Sequence, residues 1–157
     1  LHLDDPFAPL QAWSLVWNLN VGIAIEINNY VIPKMKQRSW GRVVHLSSRV
    51  AVEYLSHPAY NAAKAYLNTY VTSMGRLLAP DNVIISAVMP SAIATEDNGW
   101  SKFAKNDPEK VQAFIEQHQS IGRLGTADDI TPFLLLLASE RNAFAAGSIV
   151  SIDGGSK

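Results

Sequence analysis

Hydrophobic positions along the chain fall into two kinds of pattern that alternate. Short apolar runs predict strands, whereas longer stretches with apolar residues three or four positions apart predict helices. The predicted strands cover 43–46, 83–88 and 148–152, and the predicted helices cover 10–36, 57–78, 98–119 and 126–139. This alternation predicts an α/β fold built on a parallel sheet.

Local signals mark the ends of several predicted elements. Pro33 is expected to bend or fray the end of the first long helix. Thr126 with Asp129 three residues later resembles a capping box, which predicts the start of the last helix. The stretch at about 96–120 is rich in charges and aromatic residues, and is predicted to be a mobile helical insertion.

Length and composition favour one domain and exclude several function classes. The chain has 157 residues, 48% of them hydrophobic, which is enough to form one core spanning 1–157. A net charge of -1 provides no basic face, so nucleic acid and anionic membranes are not expected partners. The chain has no cysteine, and its four histidines lack metal-ligand spacing, so no metal site is expected.

The sequence has no signal for a membrane or for export. No run approaches the roughly 18 apolar residues of a membrane span. The first residues lack the basic start of a signal peptide. These two observations favour a cytoplasmic protein.

The candidate chemistry lies in a phenol, an amine and a hydroxyl. Tyr60 and Lys64 are one helical turn apart, and a nearby cation lowers the pKa of a phenol towards the working range of an acid–base catalyst. Ser48 follows the apolar run at 42–46 and would be delivered by a buried strand. Each piece alone is ordinary, because serines also begin turns and cap helices.

Some of these residues and their neighbours also fit other interpretations. Ser48 and His57 with an aspartate would suggest a hydrolase, but no Gly-x-Ser-x-Gly turn is present. Trp100, Phe103 and Phe114 fit two interpretations equally well, namely contact with an apolar substrate or packing of the insertion onto the core.

The order of these residues and their neighbours resembles the short-chain dehydrogenase/reductase family over nearly the whole chain. The Arg-Leu-Gly segment at 123–125 and the Asp-Gly-Gly ending at 153–155 favour its short, single-domain branch over the larger sugar-nucleotide epimerases, which share the Tyr and Lys of the segment at 60–64. The blocks that follow the family pattern are 13–20, 33–35, 41–48, 60–64, 90–95, 123–130 and 147–155.

The resemblance implies a reversible interconversion of a carbonyl and a secondary alcohol. It makes Tyr60 the general acid/base, Lys64 the residue that lowers the pKa of the phenol and holds the nicotinamide ribose, and Ser48 the ligand of the substrate oxygen. Ser47 is the less suitable serine of the pair. Asn20 would hold a water that links Lys64 to solvent, with Asn18 as a rival.

The same resemblance places a nicotinamide dinucleotide, NAD or NADP, beside these groups. Pro90, Ser91, Ile93 and Thr95 would line the nicotinamide, together with Tyr60 and Lys64. The substrate would be a small-molecule carbonyl or alcohol. The helices that carry Asn20 and Tyr60 pair between subunits in the family, so a homo-oligomer is expected.

The departures from the family pattern concern the cofactor. The nine glycines include no Gly-rich phosphate-binding turn, and the residue that selects between NAD and NADP is absent. Ser91 replaces a usual glycine and Ala146 a usual threonine. Complete members have roughly 250 residues, so the chain is expected to be a fragment, a truncated gene product or a proteolysed enzyme.

The expected structure is the C-terminal part of a Rossmann-like doubly wound sheet, in three α/β/α layers, without the N-terminal βαβ units. Its open sheet edge would be prone to pairing with another chain. The isolated chain is expected to bind dinucleotide poorly. The alternative to an enzyme is a non-catalytic remnant that acts as an oligomerisation or binding module.

Overall fold

The strands form where β-branched and apolar residues run together, and helices separate them. In the computed structural model, which describes residues 7–157, the strands are β1 (Gly41–Leu46), β2 (Val83–Pro90) and β3 (Ile149–Ile152). The helices are α1 (Leu10–Trp17), α2 (Ile23–Gln37), α3 (Val50–Glu53), α4 (Pro58–Leu78), α5 (Gly99–Asn106), α6 (Pro108–His118) and α7 (Ala127–Ala138). A π-helical turn, Asn18–Gly22, joins α1 to α2, and a 3-10 turn, Ala79–Asp81, follows α4.

All three strands are parallel, in the order β1-β2-β3. Gly41 pairs with Val83 at one end of the β1–β2 register, and Leu46 pairs with Val88 at the other. On the other side of β2, Ala87 pairs with Ile149 and the register runs on to Ile152. The predicted α/β fold with a parallel sheet is therefore confirmed, and the carboxyl ends of the strands meet at one edge.

Helices cover both faces of the sheet because alternate side chains of each strand point to opposite faces. Val83, Ile85 and Ala87 of β2 pack with Ile32 of α2 and Val71 of α4. On the opposite face, Val88 packs with Ile130 and Leu137 of α7. These two clusters form the three-layer α/β/α arrangement.

The two larger strands differ in burial. All eight residues of β2 are buried, since it has a strand on each side and helices on each face. In β1 only Gly41 is buried and Leu46 is exposed. Among residues 7–157, no strand pairs with the outer side of β1, so the predicted open edge is present here. Pairing of this edge with another chain stays a prediction.

The first predicted helix, 10–36, nearly matches the helical residues of the structure, but it contains a turn that the pattern did not predict. The helical stretch continues past Pro33 to Gln37, so the proline lies inside α2 and does not end it. The π-helical turn interrupts the regular α-helix at Asn18–Gly22. Such turns are rare and occur often at functional sites.

The later elements follow their predicted boundaries closely. The capping box of Thr126 and Asp129 is present at the start of α7. The predicted insertion contains two separate short helices, α5 and α6. No helix in the part of the chain that the structure describes is long and apolar enough to cross a membrane.

Candidate active site

A cavity of about 590 Å³ opens at the carboxyl ends of β1 and β2. It lies between the segments that follow these two strands and the helices α4, α5, α6 and α7. Seven of the residues predicted from the sequence line it, namely Ser48, Tyr60, Lys64, Pro90, Ser91, Ile93 and Thr95. The eighth, Asn20, is not among its lining residues. The fold therefore brings together groups that lie up to 47 positions apart in the sequence.

Tyr60 lies in the first turn of α4, and its ring packs against a small apolar cluster that includes Val21 and Ala63. Burial raises the pKa of the Tyr60 phenol, and hydrogen bonding with the Ser48 side chain opposes that rise without cancelling it. This differs from the expectation that Lys64 lowers the pKa of the phenol. The phenol is accordingly a proton donor at neutral pH.

Lys64 is buried one turn further along α4. Its Nζ donates to the carbonyl oxygen of Leu46 at 2.9 Å and lies 5.6 Å from the centre of the Tyr60 ring. Burial lowers the pKa of the Lys64 amine, because the charged form loses solvation. The hydrogen bond to the end of β1 holds the amine in place beside the Tyr60 ring.

The two serines after β1 have different surroundings. The Ser47 hydroxyl is buried and donates to Oδ1 of Asn68 at 2.5 Å, so it ties β1 to α4. The Ser48 hydroxyl accepts a long bond of 3.4 Å from the backbone N–H of Val50, hydrogen-bonds with the Tyr60 side chain and lines the cavity. Both serines line the cavity, but the Ser47 hydroxyl is committed to Asn68, so Ser48 is the better placed of the two to meet a ligand.

Asn20 lies within the π-helical turn. Its side-chain Nδ2 donates to the carbonyl oxygen of Val16 at 2.9 Å, and the side chain is partly buried. The rival Asn18 is exposed. This placement favours Asn20 over Asn18 for an inward role, although neither of the two lines the cavity.

An ion cluster that the sequence did not predict lies beside Ser48. Arg49 Nε donates to Glu53 Oε1 at 2.7 Å and lies 3.2 Å from Oδ2 of Asp153. All three side chains are largely buried, at 20%, 11% and 16% exposure. The spacing of four between Arg49 and Glu53 was a readable signal, but nothing in the sequence linked Asp153 to them.

His45 belongs to a buried polar network behind the cavity. The Nδ2 of Asn28 lies 3.0 Å from His45 Nε2 and donates to the Tyr70 hydroxyl at 3.1 Å. Burial lowers the pKa of His45, and the positive charge of Lys64 lowers it further. The imidazole is therefore neutral and accepts from Asn28. His45 is therefore a structural residue of this network.

A family model described as enoyl-(acyl carrier protein) reductase matches residues 6–157. The chain belongs to the short-chain dehydrogenase/reductase family. This confirms the resemblance found in the sequence.

Several members of the family are similar to this chain. An uncharacterised oxidoreductase of Schizosaccharomyces pombe is 31% identical over 97% of the chain and 59% of its own length. A 2,3-dihydroxy-2,3-dihydro-p-cumate dehydrogenase of Pseudomonas putida is 30% identical over 87% of the chain and 52% of its own length. The chain spans about half the length of the curated relatives it matches.

Solved structures of family members also resemble it. A 3-oxoacyl (acyl-carrier-protein) reductase of Agrobacterium tumefaciens with NADP bound has a TM-score of 0.81 at 31% identity, over 87% of this chain and 52% of that one. An L-sorbose reductase of Gluconobacter frateurii, complexed with NADPH and L-sorbose, has a TM-score of 0.86 at 27% identity, over 95% of this chain and 59% of that one. The matched parts place the three strands in the Rossmann-like fold of the family.

The residues of this family member fit one end of a nicotinamide dinucleotide and not the other. Hydroxyl and amine donors from Ser48, Tyr60 and Lys64 face the same cavity as the turn at 90–95. No glycine lines this cavity in the described part of the chain, and the nine glycines of the sequence include no phosphate-binding turn. Residues 7–157 also contain no group of three or more metal-ligating side chains that could hold a metal ion.

Proposed function

We propose that this chain provides the catalytic and substrate-binding part of an oxidoreductase that interconverts a carbonyl and a secondary alcohol. The observation that carries the proposal is the convergence of Ser48, Tyr60 and Lys64 on one cavity at the carboxyl ends of parallel strands. Ligands of open α/β sheets bind at this edge. Membership of the family supports the same reaction class.

In the direction of reduction, Tyr60 gives its phenolic proton to the carbonyl oxygen. A raised phenol pKa suits this role, because the group is protonated at neutral pH and can donate. The dinucleotide, when bound, would supply a hydride to the carbonyl carbon, and together with the Tyr60 proton on the oxygen this addition gives the alcohol. In the direction of oxidation, Tyr60 takes the alcohol proton.

Ser48 and Lys64 support this transfer in different ways. Ser48 hydrogen-bonds the substrate oxygen and fixes it near the phenol, which is an orienting and charge-stabilising role. Lys64 holds the ribose hydroxyls of the dinucleotide. Its single hydrogen bond to Leu46 leaves two ammonium donors for those hydroxyls. Asn20 holds a water that connects Lys64 to solvent.

The dinucleotide is NAD or NADP, with Pro90, Ser91, Ile93 and Thr95 lining the nicotinamide. Two similar structures contain NADP or NADPH, which supports a dinucleotide of this kind without selecting between the two. The 157-residue chain offers no phosphate cradle of its own. We therefore propose that the chain alone binds dinucleotide poorly.

A fluorescence titration of the chain with NADH and with NADPH tests this point. We expect no saturable binding in the micromolar range, because the pyrophosphate finds no glycine-rich turn. Micromolar binding of either dinucleotide would contradict the expectation. Reduction of ketones by any active form of the protein is the separate test of the reaction class.

We further propose that the protein is a homo-oligomer through the helices that carry Asn20 and Tyr60. Trp17 of α1 and Tyr66 of α4 are partly exposed and stack edge to face at 5.9 Å, so the two helices present one aromatic surface. Light scattering should show a dimer or larger species, and replacement of Tyr66 by serine should shift it towards monomer. A stable monomer at high concentration would count against this interface.

The alternative is that the chain acts only as an oligomerisation or binding module. The absent phosphate cradle and the exposed aromatic surface favour it for the isolated chain. Turnover by any active form that contains this sequence would decide against it.

A further inference from the structure

The charged groups that line the cavity are already paired with one another or with the backbone. Among the described lining residues these groups are Arg49, Glu53 and Lys64. Arg49 interacts with both Glu53 and Asp153, so this cluster has one positive and two negative charges. Lys64 is bonded to Leu46. A substrate with a carboxylate or phosphate would therefore meet a cluster of net negative charge beside Ser48, while the two remaining donors of Lys64 are assigned to the dinucleotide ribose by the proposed function.

Two of the polar lining side chains are also occupied. Asn98 donates through Nδ2 to the Ile93 carbonyl at 2.6 Å, and its Oδ1 accepts from the Ser101 backbone N–H at 2.9 Å. The Thr131 hydroxyl donates to the Ala127 carbonyl at 2.8 Å. These groups cap and bond their own helices, and they provide little for the many hydroxyls of a sugar.

An aromatic wall faces the remaining space. Trp100 of α5 and Phe114 of α6 lie 4.4 Å apart between ring centres and both line the cavity. The Phe103 ring lies 6.1 Å from Trp100, and the His118 ring lies 4.9 Å from Phe114. The two rings of the wall are therefore held from both sides. Trp100 and Phe114 are only partly buried, which leaves aromatic surface available to a ligand.

Apolar side chains from other elements complete this part of the cavity. Leu55 follows α3, and Ile130 and Leu134 belong to α7. A flat apolar group placed between these side chains and the aromatic wall would bury its surface on both faces. The hydroxyls of Ser48 and Tyr60 remain for one polar atom of the same ligand.

We propose that the cavity selects an uncharged ketone or secondary alcohol that carries an aromatic ring, with the ring against Trp100 and Phe114 and the oxygen at Ser48 and Tyr60. This inference rests on the proposed function and names its substrate class. It sets the chain apart from an L-sorbose reductase and a 3-oxoacyl-[acyl-carrier-protein] reductase that it resembles.

Binding of four matched ketones to the wild-type chain tests the proposal without dinucleotide. Acetophenone is the aryl ketone, cyclohexyl methyl ketone has a saturated ring, para-acetylbenzoate adds a carboxylate, and fructose represents a sugar. Measured by ligand-observed NMR, acetophenone should bind at least about tenfold more tightly than para-acetylbenzoate or fructose. It should bind about threefold more tightly than the saturated ketone. Equal or tighter binding of the acid or the sugar would overturn the proposal, and so would absence of acetophenone binding.

Two variants test where the aromatic ring of the ligand lies and which residue repels a charged ligand. Trp100→Leu keeps an apolar side chain and should weaken acetophenone binding about fivefold. The matched control is Trp40→Leu, since Trp40 contacts Arg38 and Arg42 outside this cavity. Glu53→Gln removes one negative charge and should narrow the discrimination against para-acetylbenzoate. Unchanged acetophenone affinity in folded Trp100→Leu would overturn the placement of the ring.

The wild-type series decides the question by itself if a variant does not fold. Failure of this proposal and failure of the proposed function are distinguishable. Aryl ketones that bind but are reduced by no active form would contradict only the reaction. An active form that reduces sugars or keto acids faster than aryl ketones would contradict only the substrate class.

Discussion

The two halves of helix α4 face different parts of the molecule. The first half carries Tyr60 and Lys64 towards the cavity. The second half places Val71 and Leu78 in the main core against β2. One helix therefore provides chemistry at its start and stability at its end.

The first half contains polar groups whose burial costs free energy. The Lys64 side chain is buried, and Oδ1 of Asn61 is buried without a hydrogen-bond partner among the described residues. The second half buries mainly apolar side chains, and its Gly75 lets the helix touch the backbone of Gly147. Changes in the first half should therefore affect turnover, and changes in the second half should affect folding.

The largest effect is expected for Tyr60→Phe. Loss of the phenolic proton should lower turnover of any active form about a thousandfold. The free energy of unfolding should change little, because the ring that packs with Val21 and Ala63 is kept. Steady-state ketone reduction and urea denaturation measure the two quantities. Tyr66→Phe, on the same helix but outside the cavity, is the control. Turnover within tenfold of wild type would break the assignment of chemistry to this half.

Gly75→Ala should have the largest effect on folding. A Cβ at this position would overlap the backbone of Gly147, which itself has a positive φ of 74° and cannot shift easily. We expect a loss of about 3 kcal/mol in the free energy of unfolding, measured by urea denaturation. Gly99→Ala is the matched control, because a Cβ there meets no atom within 4 Å. Equal stability of the two variants would contradict the close approach.

The smallest expected effect is a pH dependence of stability that arises from His45. This residue contacts Tyr70, near the boundary between the two halves of α4. Burial lowers the pKa of His45 in the folded state, so the unfolded chain binds a proton more readily. Protonation of His45 therefore takes nothing from the free energy of unfolding above pH about 6.5, the pKa of a free imidazole. The free energy of unfolding should fall as the pH drops from there through the folded-state pKa. Denaturation midpoints between pH 8 and pH 5 measure this fall.

His45→Gln should reduce the pH dependence, because glutamine cannot gain the proton. His118→Gln keeps the network of Asn28, His45 and Tyr70 intact and should retain the fall. An unchanged pH profile in His45→Gln would show that the acid sensitivity arises elsewhere.

Much of the fold followed from local pattern. The strand at 83–88 was readable because its residues are almost all apolar, as expected for a strand buried on both faces. The capping box at Thr126 and Asp129 was readable because its partners are three residues apart. The π-helical turn was not readable, because its residues continue an ordinary helical pattern.

The candidate site also combines features that the sequence predicts with features that only the tertiary structure decides. The spacing of Tyr60 and Lys64, their order after Ser48, and the family were all available from the sequence alone, because each depends on short spacing or on order along the chain. The direction of the Tyr60 pKa shift was decided by tertiary structure, because burial depends on neighbours such as Val21, 39 positions away. The contact of Arg49 with Asp153 and the stacking of Trp100 on Phe114 were also decided only on folding, because they join segments whose separation along the chain carries no code.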